Sequence, residues 1–142
     1  MNARFTVRLT DWAHDEPGLR VVRHAVFIVE QQVPANLEWD ESDPRCIHAL
    51  AETHAVEPVG CGRLLPDGTI GRMAVLAEWR GLGVGDAILA RLVALAREAG
   101  HAKARLNAQT HAVPFYARHG FVAVGAEYDE VGIAHRTMER AL

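Results

Sequence analysis

The sequence predicts an α/β domain: a mixed sheet with helices on its faces, in the order β-α-β-β-β-α-β-α-β-β. Three observations carry this. Short stretches with period-two alternation or a continuous apolar run recur along the chain, residues 84–99 have helical apolar spacing, and a Pro-Asp-Gly turn ties two strands into an antiparallel meander. No internal repeat, low-complexity tract or Pro/Ser-rich linker divides the 142 residues, so residues 1–142 read as a single domain. A chain of that length buries roughly two-thirds of its unfolded surface, and needs no metal or disulfide to fold.

Phe5-Thr6-Val7-Arg8-Leu9 alternates as a half-buried strand does. Asp15 ahead of Glu16-Pro17 marks a helix start, because proline is tolerated in the first turn and acids favour it. Leu19, Val22 and Val26, flanked by Val21, Ala25 and Ile28, give that helix one apolar face, and Pro34 ends it. Residues 34–45 read as an irregular acidic segment in which Glu38, Asp40, Glu41 and Asp43 crowd around Trp39. Strands are expected at 47–52, 59–65 and 69–76, the last two joined by Pro66-Asp67-Gly68. In the next helix Ile88, Leu92, Leu95 and Ala99 share a face with Leu89, Val93 and Ala96, while Arg91, Arg97 and Glu98 lie elsewhere. Gly100 falls where a helix is closed by a left-handed residue. Residues 102–108 read as a strand, 113–118 as a short helix started by Pro114, and 121–124 and 133–138 as the last strands.

Composition narrows the function. Lys and Arg number 15 against 18 Asp and Glu, a net charge of −3, with neither the basic excess nor the basic stripe that gripping nucleic-acid phosphates requires. The N-terminus has no apolar core of signal-peptide length, and no apolar run approaches the roughly 20 residues of a membrane span. A cytoplasmic protein with no membrane partner is the expectation. Cys46 and Cys61 form no CxxC and are expected to be reduced there. Cys46, His48, His54 and Cys61 match no structural zinc spacing, so no metal is expected.

The informative element is a strand followed by Arg80-Gly81-Leu82-Gly83-Val84-Gly85 and then a helix. Alternating glycines let backbone N–H groups point into one concavity, and the helix N-terminus adds partial positive charge, which together make a phosphate site. The competing reading is a turn that merely packs a helix onto a strand. A Walker A loop needs Lys-Ser/Thr after its last glycine, whereas Gly85 is followed by Asp86-Ala87. A dinucleotide fingerprint needs an acid about 20 residues further on, and Lys103, Ala104 and Arg105 stand near that offset.

The remaining template is the pyrophosphate loop of the GNAT acetyltransferases, Gln/Arg-x-x-Gly-x-Gly/Ala, which Arg80, Gly83 and Gly85 satisfy. The sequence resembles that superfamily over nearly its whole length. It shares the Gly71-Arg72-Met73-Ala74-Val75 strand before the loop, Asn107 ending the next strand, and Phe115-Tyr116-Ala117-Arg118-His119-Gly120-Phe121 after it. The segments Glu30-Gln31-Gln32-Val33-Pro34, Glu38-Trp39-Asp40 and Gly132-Ile133-Ala134-His135 resemble a small bacterial branch typified by ElaA and YjcF.

The resemblance implies acetyl-CoA as donor and a primary amine or peptide as acceptor. It implies that Met73 and Val75 present backbone groups to the pantetheine arm, that Arg80, Gly81, Leu82, Gly83, Val84 and Gly85 receive the pyrophosphate, and that Asn107 faces the cofactor arm. Tyr116 takes the position of the general acid, against the alternative of a core tyrosine packed beside Phe115. Glu30 and His135 are the candidates for the base or acceptor side, against a solvated carboxylate and a structural histidine. The acidic stretch reads either as an electronegative lip for a cationic acceptor or as a solvated loop. Trp39 either plugs the core or faces a ligand. Pairing of edge strands into a homodimer is common in the superfamily. A CoA-binding module without turnover is the alternative function, and a structural interaction domain a third, against which the glycine loop counts.

Overall fold

The computed structural model describes residues 4–142. Its strands are β1 (Phe5–Asp11), β2 (Ile47–Thr53), β3 (Pro58–Leu64), β4 (Thr69–Val75), β5 (Lys103–Gln109), β6 (Val122–Glu130) and β7 (Ile133–Ala141). They form one sheet in the order β1-β2-β3-β4-β5-β7-β6. Every neighbouring pair is antiparallel except β4 and β5, which run parallel. The order of strands and of the three main helices is the expected β-α-β-β-β-α-β-α-β-β, with short helical turns added in the connections.

The meander closes through Pro66-Asp67-Gly68 as its residues dictate: Gly68 has φ +91°, and the Asp67 carboxylate accepts the Thr69 N–H at 2.9 Å. The apolar face read from the sequence becomes the helix Val84–Glu98. Its residues Val84, Ile88, Leu89, Leu92, Val93 and Ala96 are buried on one side of the sheet, with Ala49, Ala51, Leu64, Ile70, Ala104 and Leu106 in the same core. It lies close because β3 carries glycine beneath it. A Cβ on Gly60 would stand 2.8 Å from Val84 Cγ1, and one on Gly62 would stand 2.9 Å from Leu92 Cδ1. Gly100, at φ +88°, ends the helix as expected, its N–H reaching the Arg97 carbonyl.

The opposite face is covered by α1 (Trp12–Arg23), with Leu19, Val22, Val26 and Phe27 packed on Leu50, Cys61 and Ala74. The helix starts earlier than expected, because Asp11 caps the His14 N–H at 2.9 Å; the expected start at Asp15 survives as a kink, where φ is −130°. Past Arg23 the chain continues as a π-helical turn, His24–Glu30, whose end carries Glu30 and Gln31 toward the sheet.

The segment read as irregular contains a one-turn helix, α2 (Ala35–Glu38), and the short turn Asp43–Arg45. Its acids do not form a lip. Glu38 and Asp43 are buried, and with Asp40 they meet three arginines: Arg23 donates to Glu38 Oε2 at 2.8 Å and to Asp43 Oδ1 at 2.7 Å, Arg63 donates to Asp43 Oδ1 at 2.7 Å and to Asp40, and Arg72 donates to Asp40 at 3.1 Å. Trp39 lies against this cluster, its ring beneath the guanidinium groups of Arg20 and Arg23 at 4.5 and 5.0 Å. The network fastens the segment to the sheet, so its charge is compensated within the fold.

The helix Val84–Glu98 is α3, and the short helix started by Pro114 is α4 (Val113–Arg118). The largest departure from the sequence reading is β6, which runs on to Glu130 through an irregularity between Val124 and Tyr128.

Candidate active site

The site begins where β4 leaves β5. The two strands pair only at Thr69–Arg105 and Ile70–Leu106. Just beyond, β4 bulges: Arg63 pairs with Gly71 and Cys61 with Ala74, so Arg72 and Met73 together face Gly62. Arg72 takes φ +49°, an unfavourable conformation for a residue with a side chain, and its guanidinium is held by the Glu38 carbonyl at 3.2 Å and by Asp40. The bulge turns the rest of β4 away and opens a cleft of about 1250 Å³, lined by β4, β5, the glycine loop, α4 and the end of the π-helical turn.

Backbone alternation decides what β4 offers to that cleft. The Leu76 N–H donates to the Val59 carbonyl of β3 at 2.9 Å, so the N–H and C=O of Val75 face the other way, into the cleft. Met73, at the bulge, also lines the cleft. At one end of the cleft, Gly81 and Gly83 hold φ +77° and +87° with open space where a Cβ would lie. The first bond of α3 is from Ala87 N–H to Gly83 C=O, which leaves the N–H groups of Val84, Gly85 and Asp86 without helical partners beside the cleft. Gly85 lets the ring of Phe115 approach, since a Cβ there would stand 3.4 Å from it.

Arg80 is not the unpaired cation its place in the loop suggests. Its Nε donates to the Val75 carbonyl at 3.0 Å, and its Nη1 and Nη2 each donate to the Glu30 carboxylate at 2.7 Å. This pair holds the Glu30 carboxyl below its ordinary range.

Tyr116, on α4, is buried between Phe115 and Phe121 in edge-to-face contacts and lines the cleft. Burial pushes its phenol up to about 12. The core and catalytic readings of this residue are therefore compatible, because the ring packs while the residue borders the cleft.

His135, on β7, is buried and stacked on Tyr128 at 5.8 Å. Its Nδ1 lies 2.7 Å from the Ile133 carbonyl oxygen, which only accepts, so Nδ1 carries the proton and Nε2 is the basic nitrogen of the neutral ring. Glu130 stands 3.6 Å from that Nε2, and both residues line the cleft. Asn107 also lines it, with its amide oxygen accepting from the Thr137 hydroxyl at 2.9 Å. Glu30, Tyr116, His135, Asn107, Met73, Val75 and the loop residues Arg80, Gly81, Gly83, Val84 and Gly85 thus border one cavity, although they come from five separate parts of the chain, whereas Leu82 faces a shallow hollow beside Phe5 and Val7 instead.

Sequence reasoning missed a pair in the same wall. Gln31 and Gln109 exchange two amide hydrogen bonds, at 3.2 and 2.8 Å, joining the end of the π-helical turn to the end of β5. Gln109 closes a strand pattern with nothing to mark its side chain, so the available signal was only its position two residues after Asn107. The thiols of Cys46 and Cys61 lie outside the chemistry: each is buried and hydrogen-bonds a separate backbone carbonyl, Ser42 and Arg72 respectively. Among the described residues no group of three or more His, Cys, Asp or Glu is gathered in the manner of a metal site, and no helix is long and apolar enough to cross a membrane.

The family model of the acetyltransferase (GNAT) domain matches residues 16–142. The chain belongs to the GNAT acetyltransferase family. The GNAT chain is 40% identical over 121 residues to a Bacillus subtilis protein called uncharacterized N-acetyltransferase YjcF, covering 82% of this chain and 86% of that one. The crystal structure of an acyl-CoA N-acyltransferase from Pseudomonas aeruginosa is similar, with 30% identity and a TM-score of 0.86 over 96% of this chain and 99% of that one. Escherichia coli ElaA shares 27% identity and a TM-score of 0.85, with the same coverage. The resemblance to the branch of ElaA and YjcF is thereby borne out, and the mixed sheet is the GNAT fold.

Proposed function

We propose that this GNAT domain binds acetyl-CoA along the cleft between β4 and β5 and transfers the acetyl group directly to a primary amine. The observation that carries this is the combination of a parted strand pair, a Val75 N–H facing the gap, and a phosphate-receptive glycine loop at one end of it. The pyrophosphate meets the N–H groups of Val84, Gly85 and Asp86, with Arg80 beside them. The pantetheine arm takes the place of a strand partner along Met73 to Val75, and Asn107 faces it from β5. The Val75 N–H polarises the thioester oxygen.

The neutral amine nitrogen attacks the thioester carbon, the C–S bond breaks, the sulfur leaves with the bonding pair, and the proton shed by the new amide nitrogen ends on that thiolate to give the free thiol. Tyr116 donates a hydrogen bond to that sulfur. His135 Nε2 accepts the proton lost by the incoming ammonium. Glu30 suits a different task from the base: a carboxyl held below its ordinary range by Arg80 keeps its charge and attracts a cation. A tyrosine at position 116, lining the cleft with its phenol protonated, favours a working enzyme over a silent CoA-binding module. Use of acetyl-CoA as donor supports a cytoplasmic setting.

The test is amine-dependent release of free thiol from acetyl-CoA across a panel of diamines, amino sugars, amino acids and peptide N-termini, with the acetylated product identified by mass. Turnover of at least one class is expected. Thiol release that is absent with every class, from protein that binds CoA, favours the silent module.

A further inference from the structure

The contacts of Arg80 tie the cofactor end of the cleft to its acceptor wall. All three guanidinium nitrogens are engaged: Nε on the Val75 carbonyl at 3.0 Å, Nη1 and Nη2 on the two oxygens of Glu30 at 2.7 Å. The Val75 carbonyl is one of the backbone groups β4 turns toward the gap, and Glu30 ends the π-helical turn next to Gln31. Arg80 thus lies across the cleft from the loop to the opposite wall, occupying one group on each side.

The two side chains are 42% and 44% exposed, so exchanging partners costs little desolvation. The other arginine pairs around this cleft are built differently. Arg23 and Asp43 are each 1% exposed, and Arg63 is 6%, so breaking those pairs strands buried charges. Among the described residues, Glu30–Arg80 is the arginine pair that stands both at the loop and within reach of water.

We propose that the Glu30–Arg80 pair is a latch: Arg80 stays on Glu30 and the Val75 carbonyl until a pyrophosphate enters the loop, and its transfer to phosphate frees both groups for the substrates. Loading the cofactor then uncovers a carboxylate on the acceptor wall, and this carboxylate suits an acceptor that brings a positive charge. The inference rests on the reading of residues 80–85 as a pyrophosphate loop.

The test is a double-mutant cycle on CoA affinity by calorimetry at low ionic strength, with wild type, Glu30→Gln, Arg80→Ala and the double variant. An exposed ion pair that must open before binding lowers affinity by about two- to fivefold. Glu30→Gln is therefore expected to bind CoA about two- to fivefold more tightly than wild type, and to bring no comparable gain in the Arg80→Ala background. An equal gain in both backgrounds shows Glu30 acting only as a repelling charge and overturns the latch. So does unchanged or weaker binding by Glu30→Gln. Absence of CoA binding by wild type overturns the cofactor reading itself, and the latch with it.

Discussion

Tyr116→Phe removes one oxygen atom from a ring that is otherwise a packing element, so its effect isolates the hydroxyl. The edge-to-face contacts with Phe115 and Phe121, at 5.0 and 6.2 Å between ring centres, need no hydroxyl and persist in the variant. The phenol, pushed up to about 12 by burial, is protonated throughout the working pH range. Full transfer of that proton to a thiolate whose conjugate acid titrates near 8.5 is uphill by roughly 3 to 4 pH units, about 5 kcal/mol. The hydroxyl therefore acts chiefly as a hydrogen-bond donor to the departing sulfur, and its loss falls at the low end of acid catalysis, about 100-fold in kcat. Initial-rate kinetics of thiol release with any accepted amine, paired with calorimetry of CoA binding, provide the assay. The expected result is a kcat lowered about 100-fold with CoA affinity and Tm nearly unchanged, and no decline of wild-type activity below pH 10 traceable to phenol ionisation. A variant with undiminished kcat removes Tyr116 from the chemistry; one that loses CoA affinity to the same degree shows the residue acting through binding.

Asp43→Asn leaves the buried Arg23 and Arg63 with only Glu38 and Asp40 as carboxylate partners, and the loss of about 3–5 kcal/mol is expected to appear in thermal unfolding as a fall in Tm of roughly 10–20 °C. A change below about 2 °C would show the network to be replaceable. Gly83→Ala forces a side chain into φ +87°, a strain of about 1–2 kcal/mol, and is expected to weaken CoA binding on the order of tenfold because the loop relaxes away from the phosphate geometry. Calorimetry that finds unaltered affinity separates the loop from the cofactor. Asp15, held down to about 2 chiefly by Arg8, adds stability that is complete above its unfolded value near 3.9 and is lost as pH falls toward 2. The stability advantage of wild type over Arg8→Met in urea unfolding should accordingly shrink between pH 5 and pH 2; a constant gap would mean that Arg8 acts by packing alone.

The parts legible in the sequence are those fixed by local rules. Strand alternation, the Pro66-Asp67-Gly68 turn, the apolar face of α3 and its end at Gly100 each follow from spacing or from a residue's backbone preference, and the glycine loop follows from both. The parts that were not legible depend on partners distant in sequence. Nothing near Glu38, Asp40 and Asp43 shows that Arg23, Arg63 and Arg72 arrive from α1, β3 and β4 to neutralise them, and an acidic run looks the same whether it faces water or guanidinium groups. The same holds for Arg80 and Glu30, separated by fifty positions, and for Gln31 and Gln109, separated by seventy-eight. The full length of β6 is hidden in the sequence because Gly125-Ala126-Glu127 breaks the apolar alternation; its extension to Glu130 rests on pairing with β7, a ladder that an exposed edge strand forms without a buried face.

The most direct measurement of the central claim is the amide spectrum of the ¹⁵N-labelled protein titrated with acetyl-CoA. The account predicts saturable shifts concentrated at residues 71–75 of β4, at 80–86 of the loop and first turn of α3, and at 107–109 of β5, on the two sides of the parted strands. Saturable shifts confined instead to the shallow hollow on the other side of the loop, at Phe5, Val7, Leu82, Ala87, Ala90 and Arg91, with β4 and β5 silent, would contradict it.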